Sequence, residues 1–332
     1  MKAIVLISGG LDSILAAKII IEQGIDIIPL NFRIPFCHIN AHAYQGKVLA
    51  DFVKINLGKK LRTVDINEEF LELLLKPRYG FGANMNPCID CKILMLVKSK
   101  ELMPELKAEF IVTGEVLGQR PMSQHKQALK VIELDSGLKG LLLRPLCAKN
   151  LIPTIPEEKG WVNREKLLDF SGRSRRPQIN LARKFGISGY PNASGGCLLT
   201  DRQFSGRLKD LFQDKKPDLR SIELLKTGRH FRIGTHTKLI VGRNERENRD
   251  LEEEAKAGDY LFMPEEKMAG PTCLGLGDFS QKQIVLCAQI ACRYCDSYGH
   301  EAQIAYRRIP DQGSLSLNVL PIKEDKLAGL RI

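Results

Sequence analysis

Six residues near the start of the chain, Ser8-Gly9-Gly10-Leu11-Asp12-Ser13, combine residue types that bind phosphate. They follow a short apolar run at residues 2–7 and open a segment with helical periodicity. Paired glycines let backbone wrap closely around an anion, and a helix starting there aims its free N–H groups at it. Ser8 and Ser13 add hydroxyl donors, and the Asp12 carboxylate can hold Mg²⁺ beside phosphates. The spacing differs from the Walker loop, which needs Gly-Lys-Ser/Thr, and from the dinucleotide fingerprint. A phosphate-binding turn between a strand and a helix is the expectation.

Thiols form the second chemical set. Cys88-Ile89-Asp90-Cys91 follows Asn86-Pro87 and begins a segment with helical spacing. Two thiolates so placed can bind a metal or cluster, or act as a dithiol redox pair, and a helix N-terminus lowers thiol pKa values. Cys197 follows Ser194-Gly195-Gly196, a flexible turn able to present a third thiol. Three thiolates can hold a [4Fe-4S] cluster and leave one iron open to an external ligand such as sulfide. The rival is structural zinc, which wants a fourth protein ligand, and His125 is available. Cys292 and Cys295 share a helical face with Cys287 nearby, so these and Cys273 read as buried packing residues. Cys37 and Cys147 read as core residues too.

These groups need a scaffold. Short apolar runs at residues 2–7, 25–31, 61–66 and 110–113 read as strands. They alternate with helical segments at residues 13–23, Ala43–Leu57, Asn67–Leu75 and 90–106, with Asn67 a cap. Such alternation builds a parallel sheet covered on both faces, whose ligand crevice lies at the carboxyl ends of the strands. Further helices are expected at residues 179–185, 204–212 and 219–226. Beyond Arg229 strands are expected at Thr237–Val241 and residues 259–263, 301–308 and 314–319, and helices at 245–256 and 281–298. The division expected is residues 1–210, a linker at 211–229, and a smaller α+β domain at 230–332.

Composition narrows the class. The 332 residues are 43% hydrophobic and 27% charged, as in ordinary globular proteins and unlike disordered chains. No long apolar run suggests a membrane span, and the start is too short in apolar residues for a signal peptide. Nine cysteines, an odd number, argue against a disulfide framework and for a cytoplasmic setting. The net charge of +11 lies in one place: residues 164–249 hold 20 Lys and Arg against 9 Asp and Glu, and the remainder balances at 30 of each. That concentration, with Arg173-Ser174-Arg175-Arg176 and Arg243-Asn244-Glu245-Arg246, is the footprint of a nucleic-acid partner.

Residues 8–13 resemble the signature of the PP-loop ATP pyrophosphatases, a Rossmann-like α/β family. Residues 1–210 are similar to the PP-loop domain of tRNA thiouridine synthases of the ThiI type and, more distantly, to the MnmA 2-thiouridylases. The match extends through Asn86–Cys91 and Thr113-Gly114-Glu115-Val116-Leu117-Gly118-Gln119 to Ser123-Gln124, Arg144-Pro145-Leu146 and Gly195-Gly196-Cys197-Leu198-Leu199-Thr200. The resemblance implies that a uridine oxygen is adenylated by ATP and then replaced by sulfur, 4-thiouridine being favoured over 2-thiouridine. It implies that Ser8, Gly9, Gly10, Asp12 and Ser13 bind Mg-ATP and that Asn31, Gly114 and Gln119 line the nucleotide pocket. It implies that Cys88, Cys91 and Cys197 handle sulfur, as ligands of an iron-sulfur centre. Neither a THUMP region nor a rhodanese-like tail is seen, which favours cluster chemistry with free sulfide over a persulfide carrier.

Thr237-Lys238-Leu239-Ile240-Val241-Gly242-Arg243-Asn244, with Glu247-Asn248, resembles the NFACT-R module of RNA-binding translation-quality proteins over residues 230–308. Arg173, Arg175, Arg176, Arg243 and Arg246 are the expected RNA-binding residues. The expected partners are tRNA and a sulfur donor, with a homodimer as an option. Competing readings are PP-loop chemistry on a small molecule and a non-enzymatic RNA-binding protein.

Overall fold

The computed structural model describes residues 1–36, 43–190, 196–214, 217–265, 268–296 and 299–332. Cys37, Ser194 and Gly195 lie outside the described residues. The chain divides into two compact units, Met1–Asp201 and Arg202–Ile332.

In the first unit the elements are β1 (Lys2–Leu6), α1 (Leu11–Ile21), β2 (Asp26–Arg33), α2 (Ala43–Leu57), β3 (Arg62–Asp65) and α3 (Asn67–Leu75). They continue as α4 (Cys88–Leu106), β4 (Phe110–Val112), α5 (Lys126–Asp135), β5 (Leu142–Leu143), α6 (Ile155–Glu158) and α7 (Arg176–Lys184). The sheet is parallel throughout, in the order β3-β2-β1-β4-β5. Ala3 of β1 lies opposite Ile27 on one side and Phe110 on the other, and Val5 opposite Pro29 and Val112. α1 is buried on nearly every side, so its sequence reads as continuous Leu, Ile and Ala with few polar breaks. It shares a core with α2, the sheet and Ala182 of α7. The α/β expectation for this unit is met.

Asn67 is not the cap of α3. It is the first helical residue, Ile66 precedes it, and the Asp65 carboxylate accepts the Asn67 N–H at 2.9 Å.

The second unit runs α8 (Arg202–Asp214), α9 (Leu219–Leu224), β6 (Arg229–Gly234), β7 (Thr237–Val241), α10 (Glu245–Glu253), β8 (Tyr260–Pro264) and β9 (Cys273–Leu276). α11 (Gln281–Arg293), β10 (Ala302–Arg308), β11 (Leu315–Val319) and α12 (Glu324–Ala328) complete it. Its sheet is antiparallel, in the order β11-β10-β8-β9-β7-β6. Phe231, Phe262 and the buried side of α11 form one core, and Leu224, Ile240, Leu251, Leu261 and Leu274 form another. The sheet is therefore apolar on both faces, as an α+β module with two covering layers requires. Cys273, Cys287, Cys292 and Cys295 are packed within the first of these cores. Burial pushes the Cys295 thiol up to about 12 and raises those of Cys273 and Cys287 as well. Such thiols are inert packing groups.

The division falls earlier than residues 211–229, the stretch expected to be a linker. α8 folds with the second unit because the Asp210 carboxylate accepts from Arg232 at 2.7 and 3.0 Å and faces Lys238 at 2.5 Å. The expected linker itself contains α9, capped by the Asp218 carboxylate on the Ser221 N–H at 2.6 Å. Among the described residues no helix is long and apolar enough to cross a membrane.

Candidate functional site

The order of the parallel sheet reverses between β1 and β4, and the loops leaving these two neighbours bound a crevice at their carboxyl ends. Residues 8–13 leave β1, and residues 113–119 leave β4. The first loop is braced by its own serines. Ser13 Oγ donates to the Gly10 carbonyl at 2.8 Å and accepts the Ser8 N–H at 3.3 Å, while Ser8 Oγ accepts the Gly10 N–H at 3.4 Å. Gly9 sits at φ +77°, a conformation a side chain would strain. Gly10 caps α1 without a side-chain bond, so the first N–H groups of the helix are left for an anion. Asn31, on β2, donates to the Ile7 carbonyl at 2.7 Å and so holds the strand end from which the loop departs.

Gly114 backs this loop. A Cβ on it would lie 2.5 Å from the Asp12 carbonyl and the Ser13 nitrogen. Gln119 Nε2 donates to Asp12 Oδ2 at 3.0 Å, so the second loop grips the carboxylate of the first. The other carboxylate oxygen, Oδ1, and Gln119 Oε1 are buried without a hydrogen-bond partner among the described residues. Two orphaned acceptors, one anionic, fit a Mg²⁺ ion or its bound water. Burial raises the Asp12 pKa above its usual 3.8, against the lowering effect of the Gln119 bond and of the Arg175 and Arg120 charges.

The position of the second loop rests on a buried ionic group. Glu115 pairs with Lys92 of α4 and with Arg144 Nε at 3.0 Å, and it accepts from Thr113 Oγ1 at 3.1 Å. Arg144 also reaches Glu133 at 3.0 Å and the Leu129 carbonyl at 3.1 Å. Burial alone would raise the Glu115 carboxyl, but Lys92 and Arg144 outweigh it and hold it at about 2. Lys92 and Glu133 were not singled out from sequence. A charge type alone does not reveal burial.

Lys92 follows Cys91, so the same ionic group fixes the start of α4, where the thiols sit. Cys88 Sγ donates to Ser123 Oγ at 3.1 Å. Cys197 is brought to the same place by backbone and side-chain bonds: the Met85 N–H donates to the Leu199 carbonyl at 3.1 Å, and Asn84 Nδ2 to the Thr200 carbonyl at 2.7 Å. Burial pushes the Cys197 thiol up to about 11, and the neighbouring Cys88 adds to the rise. The loop after β4 touches both groups: Gln119 bonds Asp12, and Ser123, four residues on, accepts from Cys88.

Among the described residues, no three Cys, His, Asp or Glu side chains gather closely enough to hold a metal ion. Cys88, Cys91 and Cys197 are not gathered as a metal-binding trio in this conformation. His125 is engaged as the cap of α5, accepting the Ala128 N–H through Nδ1 at 3.2 Å.

The basic residues do not share one environment. Arg173 and Arg176 are exposed, whereas Arg175 is half-buried and its charge acts on Asp12. In the second unit Arg243 is held by Glu247 through Nε at 2.9 Å. Gly242, Asn244 and Asn248 build the turn from β7 into α10: Asn244 caps the helix on the Glu247 N–H at 3.0 Å, and a Cβ on Gly242 would collide with the Asn248 side chain. That part of the motif is thus a turn-forming signature.

Comparison with known proteins agrees with this geometry. Residues 1–155 match the family model described as thiamine biosynthesis protein (ThiI), and residues 228–330 match the NFACT protein RNA binding domain. The first unit is thus similar to PP-loop tRNA-thiolation proteins. One similar protein, described as "Probable tRNA sulfurtransferase" from Thermococcus kodakarensis, is 28% identical over 153 residues, 44% of this chain and 36% of that protein. The tRNA-specific 2-thiouridylase MnmA of Marinomonas sp. is 24% identical over 252 residues, 71% of this chain and 60% of that protein. The chain thus spans from about a third to 60% of the length of these relatives. A crystal structure of a 4-thiouridine synthetase–RNA complex with bound ATP aligns with a TM-score of 0.39 and 21% identity, over 67% of this chain and 52% of that one.

Proposed function

We propose that this PP-loop protein is an ATP-dependent tRNA sulfurtransferase. The observation that carries the reading is that one loop, residues 113–124, bonds both the phosphate loop, through Gln119 to Asp12, and the thiols, through Ser123 to Cys88. A uridine carbonyl oxygen attacks the α-phosphorus of ATP, the bond from that phosphorus to its bridging oxygen breaks, and pyrophosphate leaves with the electron pair. Mg²⁺ held by Asp12 would neutralise phosphate charge. Sulfide then adds at the activated carbon and AMP departs. Where a persulfide carrier supplies the sulfur, its outer sulfur adds and AMP departs. A Cys88 or Cys197 thiolate then attacks the carrier sulfur, breaking the S–S bond and ending as a disulfide with the carrier. A crevice that excludes water protects the adenylate between the two steps. The product favoured is 4-thiouridine over 2-thiouridine, and the RNA-binding-type module would hold the tRNA.

The finer expectation is an iron-sulfur centre, which requires Cys91 to join the Cys88–Cys197 pair. Iron and sulfide analysis of anaerobically purified protein tests it. Stoichiometric iron, lost in the Cys88→Ala/Cys91→Ala/Cys197→Ala variant, supports the centre, and zinc without iron overturns it. The wider reading is tested by pyrophosphate release with tRNA and by mass spectrometry of tRNA nucleosides from a deletion strain. A thiouridine absent from that strain and restored by the gene is the expected outcome.

A further inference from the structure

The segment before α7 is tied to the loop that carries Gln119. Ser171 forms a parallel bridge with Leu117, and the Gly172 N–H donates to the Leu117 carbonyl at 2.7 Å. A Cβ on Gly118 would sit 3.3 Å from the Gly172 nitrogen, so the two chains pass glycine against glycine. Directly afterwards α7 packs on α1, the helix that begins at the phosphate loop. The turn between, which carries Arg175, is therefore held by the β4 loop on one side and by α1 on the other. The β4 loop also supplies Gln119, bonded to the Asp12 carboxylate, and Arg175 is close enough for its charge to act on that carboxylate. In the first turn of α7, Gln178 is fully buried, and neither amide atom has a hydrogen-bond partner among the described residues. Arg173 and Arg176, on the same turn, face solvent. An arginine serving only an outer RNA surface would share their exposure.

We propose that Arg175 binds the phosphates of ATP held by residues 8–13, so that the basic run is divided: Arg175 serves the nucleotide, Arg173 and Arg176 the RNA. The inference rests on the adenylation reading and adds to it a phosphate-binding residue. A guanidinium stays charged at every working pH and offers paired N–H groups that match phosphate oxygens. When the bond between the α-phosphorus and its bridging oxygen breaks, the electron pair leaves on pyrophosphate, and a fixed cation beside it stabilises that charge.

The test uses the full chain and Mg²⁺ with an ATP analogue whose α–β bridging oxygen is replaced by methylene, titrated calorimetrically. Arg175→Ala should weaken the analogue by about 30-fold and Arg175→Lys by less, because one point charge replaces a paired donor. tRNA affinity and its salt dependence should stay within about twofold. The Arg173→Ala/Arg176→Ala variant should behave oppositely, keeping analogue affinity and losing tRNA affinity. If Arg175→Ala does not fold, the comparison of Arg175→Lys with Arg175→Gln carries the measurement. Unchanged analogue affinity in Arg175→Ala or Arg175→Gln, or a flattened salt slope for tRNA, overturns the proposal. If wild type binds the analogue but releases no pyrophosphate with tRNA and ATP, the adenylation reading fails while the Arg175 assignment is still decided by binding. If wild type binds no analogue, both fail.

Discussion

Asp12 shows the conflict between stability and function at the scale of one residue. Its carboxylate is kept out of water, and burial outweighs the Gln119 bond and the two arginine charges, so its pKa lies above 3.8. A carboxyl whose folded pKa is raised favours the fold most when protonated. That contribution is complete below the unfolded pKa and is lost as pH rises through the folded one. An asparagine at this position would keep an oxygen for Gln119 and carry no charge to desolvate. Asp12→Asn should therefore melt higher than wild type in the absence of nucleotide, with a wider gap at pH 8 than near pH 4, the usual value from which the folded pKa is raised. It should gain no stabilisation from Mg-ATP and should release no pyrophosphate, while tRNA affinity stays nearly intact. Thermal melts at both pH values, with and without Mg-ATP, check this, and a variant less stable than wild type at pH 8 contradicts it. The loop itself was legible because Gly, Ser and Asp have few other reasons to follow a buried strand at that spacing. The half-buried setting of Arg175 was not, since sequence shows that an arginine is present and not which way its turn is held.

At the scale of elements, the legible parts are those with an unbroken pattern. Ala43–Leu57 and Asn67–Leu75 are helices as their periodicity implies, and Thr237–Val241 is a strand. β5 is two residues long, too short to show alternation, and β6 carries two arginines, Arg229 over the Tyr294 ring and Arg232 on Asp210, whose partners are tertiary. β9 contains a glycine, Gly275, where a Cβ would press on Phe279 and Phe262 at 3.1 and 3.2 Å. α5 did have a readable face, Ala128, Leu129 and Ile132. It follows the Ser123-Gln124 motif, with four charged residues among its ten. What joins these pieces is Glu115, between the β4 loop, the start of α4 and Arg144. Removing one member of a buried charge group leaves the others unpaired, and Glu115→Gln should cost about 3 kcal/mol. The folded carboxyl lies at about 2, below its ordinary 4.5, so its stabilisation is present above 4.5 and is lost as pH falls toward 2. Urea unfolding at pH 7 should show the loss, and the gap between variant and wild type should narrow on acidification. A gap that stays constant from pH 7 to pH 3 would mean that the Glu115 charge is not what holds the loop. Because Lys92 follows Cys91, nucleotide binding and thiol reactivity should both decline in this variant.

At the scale of the whole molecule, the excess charge spans the boundary between the units. Part of it is already neutralised within the fold, since Arg220 pairs with Asp259, Arg232 and Lys238 with Asp210, and Arg243 with Glu247. A charge count from sequence therefore overstates what is left for a polyanion. The boundary at Asp201/Arg202 decides how the tail is to be tested. Cutting before β6 would leave Asp210 without Arg232 and Lys238 and would strip α8 of the sheet it folds with, so lost binding could reflect damage. Cutting after Asp201 removes a compact unit with its own cores. Residues 1–201 should keep affinity for the Mg-ATP analogue and lose most affinity for tRNA. Lys and Arg contacts to phosphate release counterions, with a log–log salt slope of roughly −0.9 for each phosphate neutralised on a duplex. If the intact chain makes about five such contacts, its affinity should fall about a hundredfold or more between roughly 50 and 200 mM salt. The truncated chain should show a flatter slope, set by Arg173, Arg176 and their neighbours in the first unit. Filter binding across a salt series measures both slopes. Equal affinities and equal slopes would assign RNA binding to the first unit alone and leave the second with another partner.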